Sequence, residues 1–354
     1  MMDFDADTHP HRRLNPLTNE FILVSPHRTK RPWLGQTETP QSLDLPTYDP
    51  ACYLCPGNSR SGGQQNPVYE NTHTFVNDFS AVLPPPTPPT PVAPHPLLTV
   101  NPVHGACDVL IFHPRHDLTL ARLQVPDIQQ IIAEWIRIYH FRGTQDGIKY
   151  VQIFENKGAI MGCSNPHPHG QVWSLSEVPT LPGTELEFLR RYSISEAPTS
   201  NAPREIALPI EGGRVVVKND YWVALVPWWA TWPFEILLLP YTRHIPSIAE
   251  LSVEEQSSLA EILSKVTVRY DNLFSCSFAY SMGIHQRPTP VSDDDENIAH
   301  LHVHFSPPLL RSASVKKFLV GSSFELMAEA QRDLTPEQAA TRLRACSEKH
   351  YLNE

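Results

Sequence analysis

Two imidazoles and an amide recur at every second position in the segment Asn165-Pro-His167-Pro-His169-Gly-Gln171. On an extended strand His167, His169 and Gln171 project from one face. Pro166 and Pro168 precede the two histidines, fix their own φ and push their neighbours toward extended geometry. The result is a stiff ribbon that presents its imidazoles. The stretch before it, Glu155 to Ser164, is rich in small residues whose backbone N–H groups can approach an anion. A neutral imidazole held in this way is a competent nucleophile toward phosphorus, and Gln171 can donate to the oxygens of a group in transfer. The same spacing also fits a rigid turn with metal-bound histidines, and on the residues alone both readings stand.

Composition narrows the setting. A formal charge of −10 and a pI near 5.9 argue against nucleic acid or a membrane surface as partner. With 354 residues, 41% of them hydrophobic, the chain can build one large or two ordinary domains with real cores. Residues 1–13 are acidic and polar, without the apolar stretch of a signal, and no later run has the length of a spanning helix. Of six cysteines only Cys52 and Cys55 stand close together, which fits a reducing compartment and metal binding rather than disulfides. The expectation is a soluble cytoplasmic protein.

The elements that must hold the histidines repeat. Cys107 to Val125 aligns without a gap with Glu235 to Val253 at a constant shift of 128 residues, which puts His116 on His244 and Leu123 on Leu251. Each copy leads into an amphipathic helix. The first carries Ile128, Ile131, Ile132, Trp135 and Ile138 after Asp127; the second carries Leu259, Ile262, Leu263, Val266 and Tyr270 after a Ser252–Glu255 capping box. Strands ending in alternate histidines follow, His167/His169 in one half and His300/His302/His304 in the other. The chain therefore reads as a tandem duplication, with halves at 1–195 and 196–354. The expected class is α+β, an antiparallel sheet with helices packed on one face.

Smaller signals complete the pass. Residues 221–239 read as core strands, 83–96 as an exposed polyproline-like loop, and 293–297 as the exposed loop that lengthens the second copy. Thr335, Pro336 and Gln338 start a last helix over 336–349. A basic turn holds Arg28, Lys30 and Arg31, suited to phosphate or simply to solvent. Asn77 and Asp78 end a short strand, where they suit a ribose or an Asx turn. Cys52-x2-Cys55 followed by Gly57 has the form of half a zinc site.

Together Cys52-x2-Cys55, Asn77-Asp-Phe79, Glu155-Asn-Lys157, Gly162-Cys-Ser-Asn-Pro-His-Pro-His-Gly-Gln171 and Leu301-His-Val-His304 resemble the galactose-1-phosphate uridylyltransferases, a histidine-triad family of the Leloir pathway. The likeness runs from Asn15 to about Arg344 and implies two copies of the histidine-triad fold. It further implies a ping-pong reaction in which UMP passes from UDP-glucose to His169 and then to galactose 1-phosphate. Gln171 and Ser164 would assist, and Gly162 and Cys163 would line the phosphate loop. Arg28, Arg31, Asn77, Asp78, Phe79 and Asn156 match contacts to the uridine nucleotide. Lys317, Val320, Phe324, Glu325 and Gln331 fall in the stretch that binds hexose phosphate across a homodimer interface. Cys52, Cys55, His116 and His167 match a structural zinc site, and Glu185, His285, His302 and His304 a second site for iron or zinc. A related sugar-nucleotide phosphorylase or nucleotidyl hydrolase is the alternative, disfavoured by Gln171; a non-catalytic sugar-nucleotide sensor is disfavoured by the retention of both His169 and Gln171.

Overall fold

The computed structural model describes residues 3–30, 44–86, 89–90, 95–196, 212–312, 314–316 and 328–353. Its two long helices are α1 (Val125–Gly143) and α3 (Val253–Phe274); their starts lie 128 residues apart, the shift of the sequence repeat. α1 is capped reciprocally by Gln124 and Asp127, with Pro126 in its first turn, so Asp127 lies inside the helix. Ser252 and Glu255 cap α3 in the same way. The shorter helices are α2 (Thr180–Glu196), α4 (Asp293–Ile298) and α5 (Pro336–Arg344).

The strands are β1 (His11–Asn15), β2 (Glu20–Val24), β3 (His73–Val76), β4 (Gly105–Ile111), β5 (Tyr150–Lys157), β6 (His169–Leu175) and β7 (Val215–Lys218). They continue with β8 (Trp222–Leu225), β9 (Ile236–Pro240), β10 (Tyr280–His285), β11 (His302–Ser306), β12 (Leu309–Ser312), β13 (Val315–Lys316) and β14 (Ala330–Arg332). Nine of them form one antiparallel sheet in the order β3-β4-β6-β5-β10-β11-β9-β8-β7. Read outward from the β5–β10 seam, β6 and β4 on one side answer β11 and β9 on the other. The two halves share a single sheet.

α1 and α3 pack against each other and lie on one face of this sheet. Between helices and sheet sits the main core, one cluster that joins Ile128, Ile131, Ile132 and Trp135 of α1 and Leu259, Ile262, Leu263 and Val266 of α3 with Ile153, Val172, Leu238, Val303 and Phe305 of the sheet. The opposite face is covered in patches. The Cys52–Cys55 turn and Tyr69 pack on Val109 and Ile111. A small sheet of order β1-β2-β14, through Leu17 and Ile22, packs with Leu189 of α2 on β8 and β9.

Three local details differ from the sequence reading. Residues 293–298 are helical because the Ser292 side chain accepts the Asp295 N–H and caps a turn rich in acids. α5 stops at Arg344, short of 349, because buried Arg269 takes the carbonyls of Leu343, Arg344 and Cys346 at 3.2, 3.1 and 2.6 Å. α2 has too weak an apolar periodicity to be read from sequence.

Candidate active site and metal centres

In β6 the buried Gly170, Val172 and Ser174 face the helices, so His169, Gln171 and Trp173 point to the other side of the sheet. Gly170 is demanded by close approach: a Cβ there would lie 2.9 Å from the Phe112 ring and 3.0 Å from the Phe154 carbonyl oxygen. His169 Nδ1 lies 2.7 Å from the carbonyl oxygen of His167. A carbonyl only accepts, so Nδ1 carries the proton and Nε2 keeps its lone pair. Burial pushes the His169 pKa below its ordinary value, so the ring is neutral at physiological pH.

A cleft beside His169 is lined by Asn156, Lys157, Gly158, Cys163 and Asn165. Residues 159–161 make a single 3-10 turn that Gly162 closes at φ +82°, a conformation in which a side chain would be strained. The chain then reverses, and the Cys163 thiol donates to the Asn165 carbonyl at 3.0 Å. The Ser164 hydroxyl stands 3.5 Å from that of Tyr53, which the Cys52–Cys55 turn carries to it. Phe154 faces Gln171 across the β5–β6 pair, and Asn156 lies two residues further along toward His169. Gln171 Oε1 accepts the Trp173 indole N–H at 3.1 Å, and Asn156 Oδ1 accepts the Ser281 hydroxyl at 2.7 Å.

The expected nucleotide contacts are spread more widely. Asn77 Oδ1 accepts the Phe79 N–H at 2.9 Å, which makes the Asx turn, and Phe79 is 75% exposed. The Asp78 carboxylate accepts the Gly62 N–H at 3.2 Å and pairs at 3.6 Å with Arg60, whose guanidinium covers the Phe75 ring. These residues end β3, two places from β6 in the sheet. Arg28 lies elsewhere. Its Nε is 3.4 Å from Asp333 Oδ1, and Gln331 donates to that same oxygen at 2.7 Å. Both belong with the small sheet, against β8 and β9, four to five strands from β6, so one chain does not bring them to His169. Arg31, Lys317, Val320, Phe324 and Glu325 lie outside the described residues.

Two clusters suit metal ions. The ligand atoms of Cys52, Cys55, His116 and His167 all lie within 4.8 Å of one another, as do those of Glu185, His285, His302 and His304. In the first cluster Cys55 Sγ is 3.6 Å from His116 Nδ1 and 3.4 Å from His167 Nδ1. His167 Nε2 meets the His113 carbonyl at 2.9 Å, which leaves its Nδ1 as the free ligand atom. Cys52 Sγ accepts the Leu54 N–H at 3.3 Å and the Asn165 amide at 3.4 Å. Burial, with Cys52 alongside, pushes the Cys55 thiol up to about 11, and burial among neighbouring imidazoles takes His167 down to about 4. A cation would reverse the first and tolerate the second.

In the second cluster Glu185 of α2 accepts from His285 Nδ1 at 2.6 Å and lies 3.5 and 3.6 Å from the Nε2 atoms of His302 and His304. Burial works to raise the Glu185 carboxyl, but the three imidazoles outweigh it and hold the group well below the ordinary carboxylate range. His302 Nε2 and His304 Nε2 are buried without a hydrogen-bond partner among the described residues, which suits them to bind a metal ion. His302 Nδ1 meets the His300 carbonyl at 2.7 Å, the same clamp at the same length as His169 on His167.

The sequence reading missed Asn165, Trp173, Ser281 and Arg60. Asn165, which receives the His167 N–H at 3.0 Å, and Trp173, in the same alternation as Gln171, lay next to the motif. Ser281 and Arg60 arrive only through tertiary pairing.

The profile described as galactose-1-phosphate uridyl transferase, N-terminal domain, matches residues 2–179, and that of its C-terminal domain matches residues 203–354. A galactose-1-phosphate uridylyltransferase of Cryptococcus neoformans var. neoformans serotype D is 52% identical over 95% of this chain and 90% of its own length. The Haemophilus influenzae protein of that name is 48% identical over 98% and 97%. A solved uridylyltransferase structure superposes with a TM-score of 0.72 at 27% identity, over 94% of this chain and 97% of that one.

Proposed function

The chain belongs to the galactose-1-phosphate uridylyltransferase family and is a transferase of galactose metabolism, and from that membership we propose that it passes UMP from UDP-glucose to galactose 1-phosphate through a covalent uridylyl-His169. The observation that supports this most is His169 itself: a neutral ring fixed by Nδ1, with its Nε2 lone pair free and Gln171 on the same face. Nε2 attacks the α-phosphorus, the bond to glucose 1-phosphate breaks, and that sugar phosphate leaves with its electron pair. Galactose 1-phosphate then attacks the uridylyl-histidine and restores the ring. Charge gathers on the phosphoryl oxygens in both displacements. Gln171 and Ser164 stabilise it there.

Asn77, Asp78, Phe79 and Asn156 hold the uridine nucleotide. Arg28 and Gln331 are roughly 20 Å from β6 at the usual strand spacing. On this reading a second copy of the chain supplies them, and the resemblance brings Arg31, Lys317, Val320, Phe324 and Glu325 with them. We accordingly propose a homodimer, with 1–195 bearing the nucleophile and 196–354 the hexose-phosphate contacts, at work in the cytoplasm on small-molecule substrates. Incubation with UDP-glucose labelled at its α-phosphorus is expected to leave acid-labile label on His169 and release glucose 1-phosphate. Metal-replete protein that takes no label would overturn the proposal, and steady UMP release without acceptor would move it to a hydrolase.

Cys52, Cys55, His116 and His167 would hold zinc, whose preference for two thiolates and two imidazoles they meet; Glu185, His285, His302 and His304 would hold iron or zinc. Either ion would fix strand ends beside the reacting residues. Metal analysis is expected to return about two ions per chain, about one of them lost in Cys55→Ser and the other in Glu185→Ala. Full metal content in both variants would remove these assignments.

A further inference from the structure

Gln171 shares the His169 face of β6 and Asn156 lies beside it on β5, and an amide has two opposite ends. Its NH2 stabilises a phosphoryl anion, while its carbonyl oxygen repels one, and the two ends are almost the same size. Something must choose. In this chain each carbonyl oxygen is already occupied by a donor: the Trp173 indole N–H for Gln171, at 3.1 Å, and the Ser281 hydroxyl for Asn156, at 2.7 Å. Among the described residues neither NH2 group donates to a protein acceptor.

We propose that Trp173 and Ser281 are positioning residues for these amides: Trp173 sets Gln171 with its NH2 group toward the transferred phosphoryl, and Ser281, whose hydroxyl can bond either end of an amide, holds the Asn156 side chain in place beside it. The inference rests on His169 as the uridylyl carrier. The indole N–H can only donate, so Trp173 tolerates one orientation of Gln171 and penalises the flip. Its ring is itself held edge-on to Phe154 at 5.6 Å, and Phe154 is the residue opposite Gln171 in the β5–β6 pair. Ser281 is the direct cross-strand partner of Asn156 in the β5–β10 pair, so its hydroxyl reaches the amide from the second half of the chain. The two donors therefore enter from opposite sides, one from each half. Donors fixed before substrate arrives need no reorganisation as charge develops, so their effect falls on the chemical step more than on binding.

The test uses Trp173→Phe, which keeps the ring against Phe154 but removes the N–H, and Ser281→Ala, with Ser281→Thr as the variant that restores a hydroxyl. The anionic substrate can itself draw an NH2 group toward it, so the loss is partial: each variant is expected to lower kcat about tenfold and change KM for UDP-glucose less than about threefold. Ser281→Thr is expected within about threefold of the parent. In a Gln171→Ala background Trp173→Phe is expected to have no further effect, because it acts through that amide. If the parent takes label from UDP-glucose and Trp173→Phe and Ser281→Ala turn over at its rate, the inference falls alone. An equal loss in Ser281→Thr, or an undiminished Trp173→Phe effect without Gln171, also overturns it, since either marks a packing role. A parent that takes no label removes the His169 reading, and the inference with it.

Discussion

Replacing His169 by alanine is expected to lower uridylyl transfer by at least about ten-thousandfold, equivalent to about 5 kcal/mol of barrier, while leaving the fold intact. On the proposed route the loss is large because the ring is both nucleophile and carrier. Without it the two sugar phosphates would have to exchange in one displacement. The fold should survive because the described hydrogen bonding of the imidazole is a single contact, Nδ1 to the His167 carbonyl. Thermal unfolding of His169→Ala is accordingly expected within about 1 kcal/mol of the parent, and metal content unchanged. A variant that still exchanges label between glucose 1-phosphate and UDP-glucose at a tenth of the parent rate would rule out His169 as carrier.

The second large effect lies on the other face of the sheet. Asp271 of α3 is buried and meets Lys157 Nζ at 2.8 Å, the Phe278 N–H at 2.8 Å and His350 Nε2 at 3.2 Å. Lys157 ends β5, directly after Asn156. Nearby Glu155 is pushed up to about 7 by burial and by the Asp271 carboxylate, although the Tyr280 hydroxyl at 2.9 Å and Lys157 oppose the rise. Asp271→Ala leaves an ammonium buried and a backbone N–H unpaired, and is expected to cost about 3–5 kcal/mol. Urea unfolding measures it. A companion Lys157→Met in the same chain should return a good part of the loss, because the stranded charge goes with it. An Asp271→Ala protein within 1 kcal/mol of the parent would show the pair to be dispensable.

Much of this was legible before any coordinates. The 128-residue shift forecast that α1 and α3 would be equivalents, and the apolar stripes through Ile128 to Ile138 and Leu259 to Tyr270 are buried. Both metal clusters gather the residues that the resemblance implied. Other features depend on pairing across long stretches of chain, which local patterns do not encode. β2 runs parallel to β14, some three hundred residues later, and only that contact puts Arg28 beside Asp333 and Gln331. Ser281 reaches Asn156 because β10 lies against β5, a register fixed by the seam between the halves. α2, which delivers Glu185, has no periodic stripe to announce it because it leans on the sheet by few apolar residues such as Leu189.

His169 and His302 are fastened by the same ring nitrogen to the carbonyl two residues upstream, at the same length. What differs is what stands opposite: an open cleft before one, the Glu185 carboxylate before the other. The same fastening thus serves two ends: beside the cleft it leaves a ring nitrogen for the proposed transfer, and beside Glu185 it leaves one that a metal ion could take.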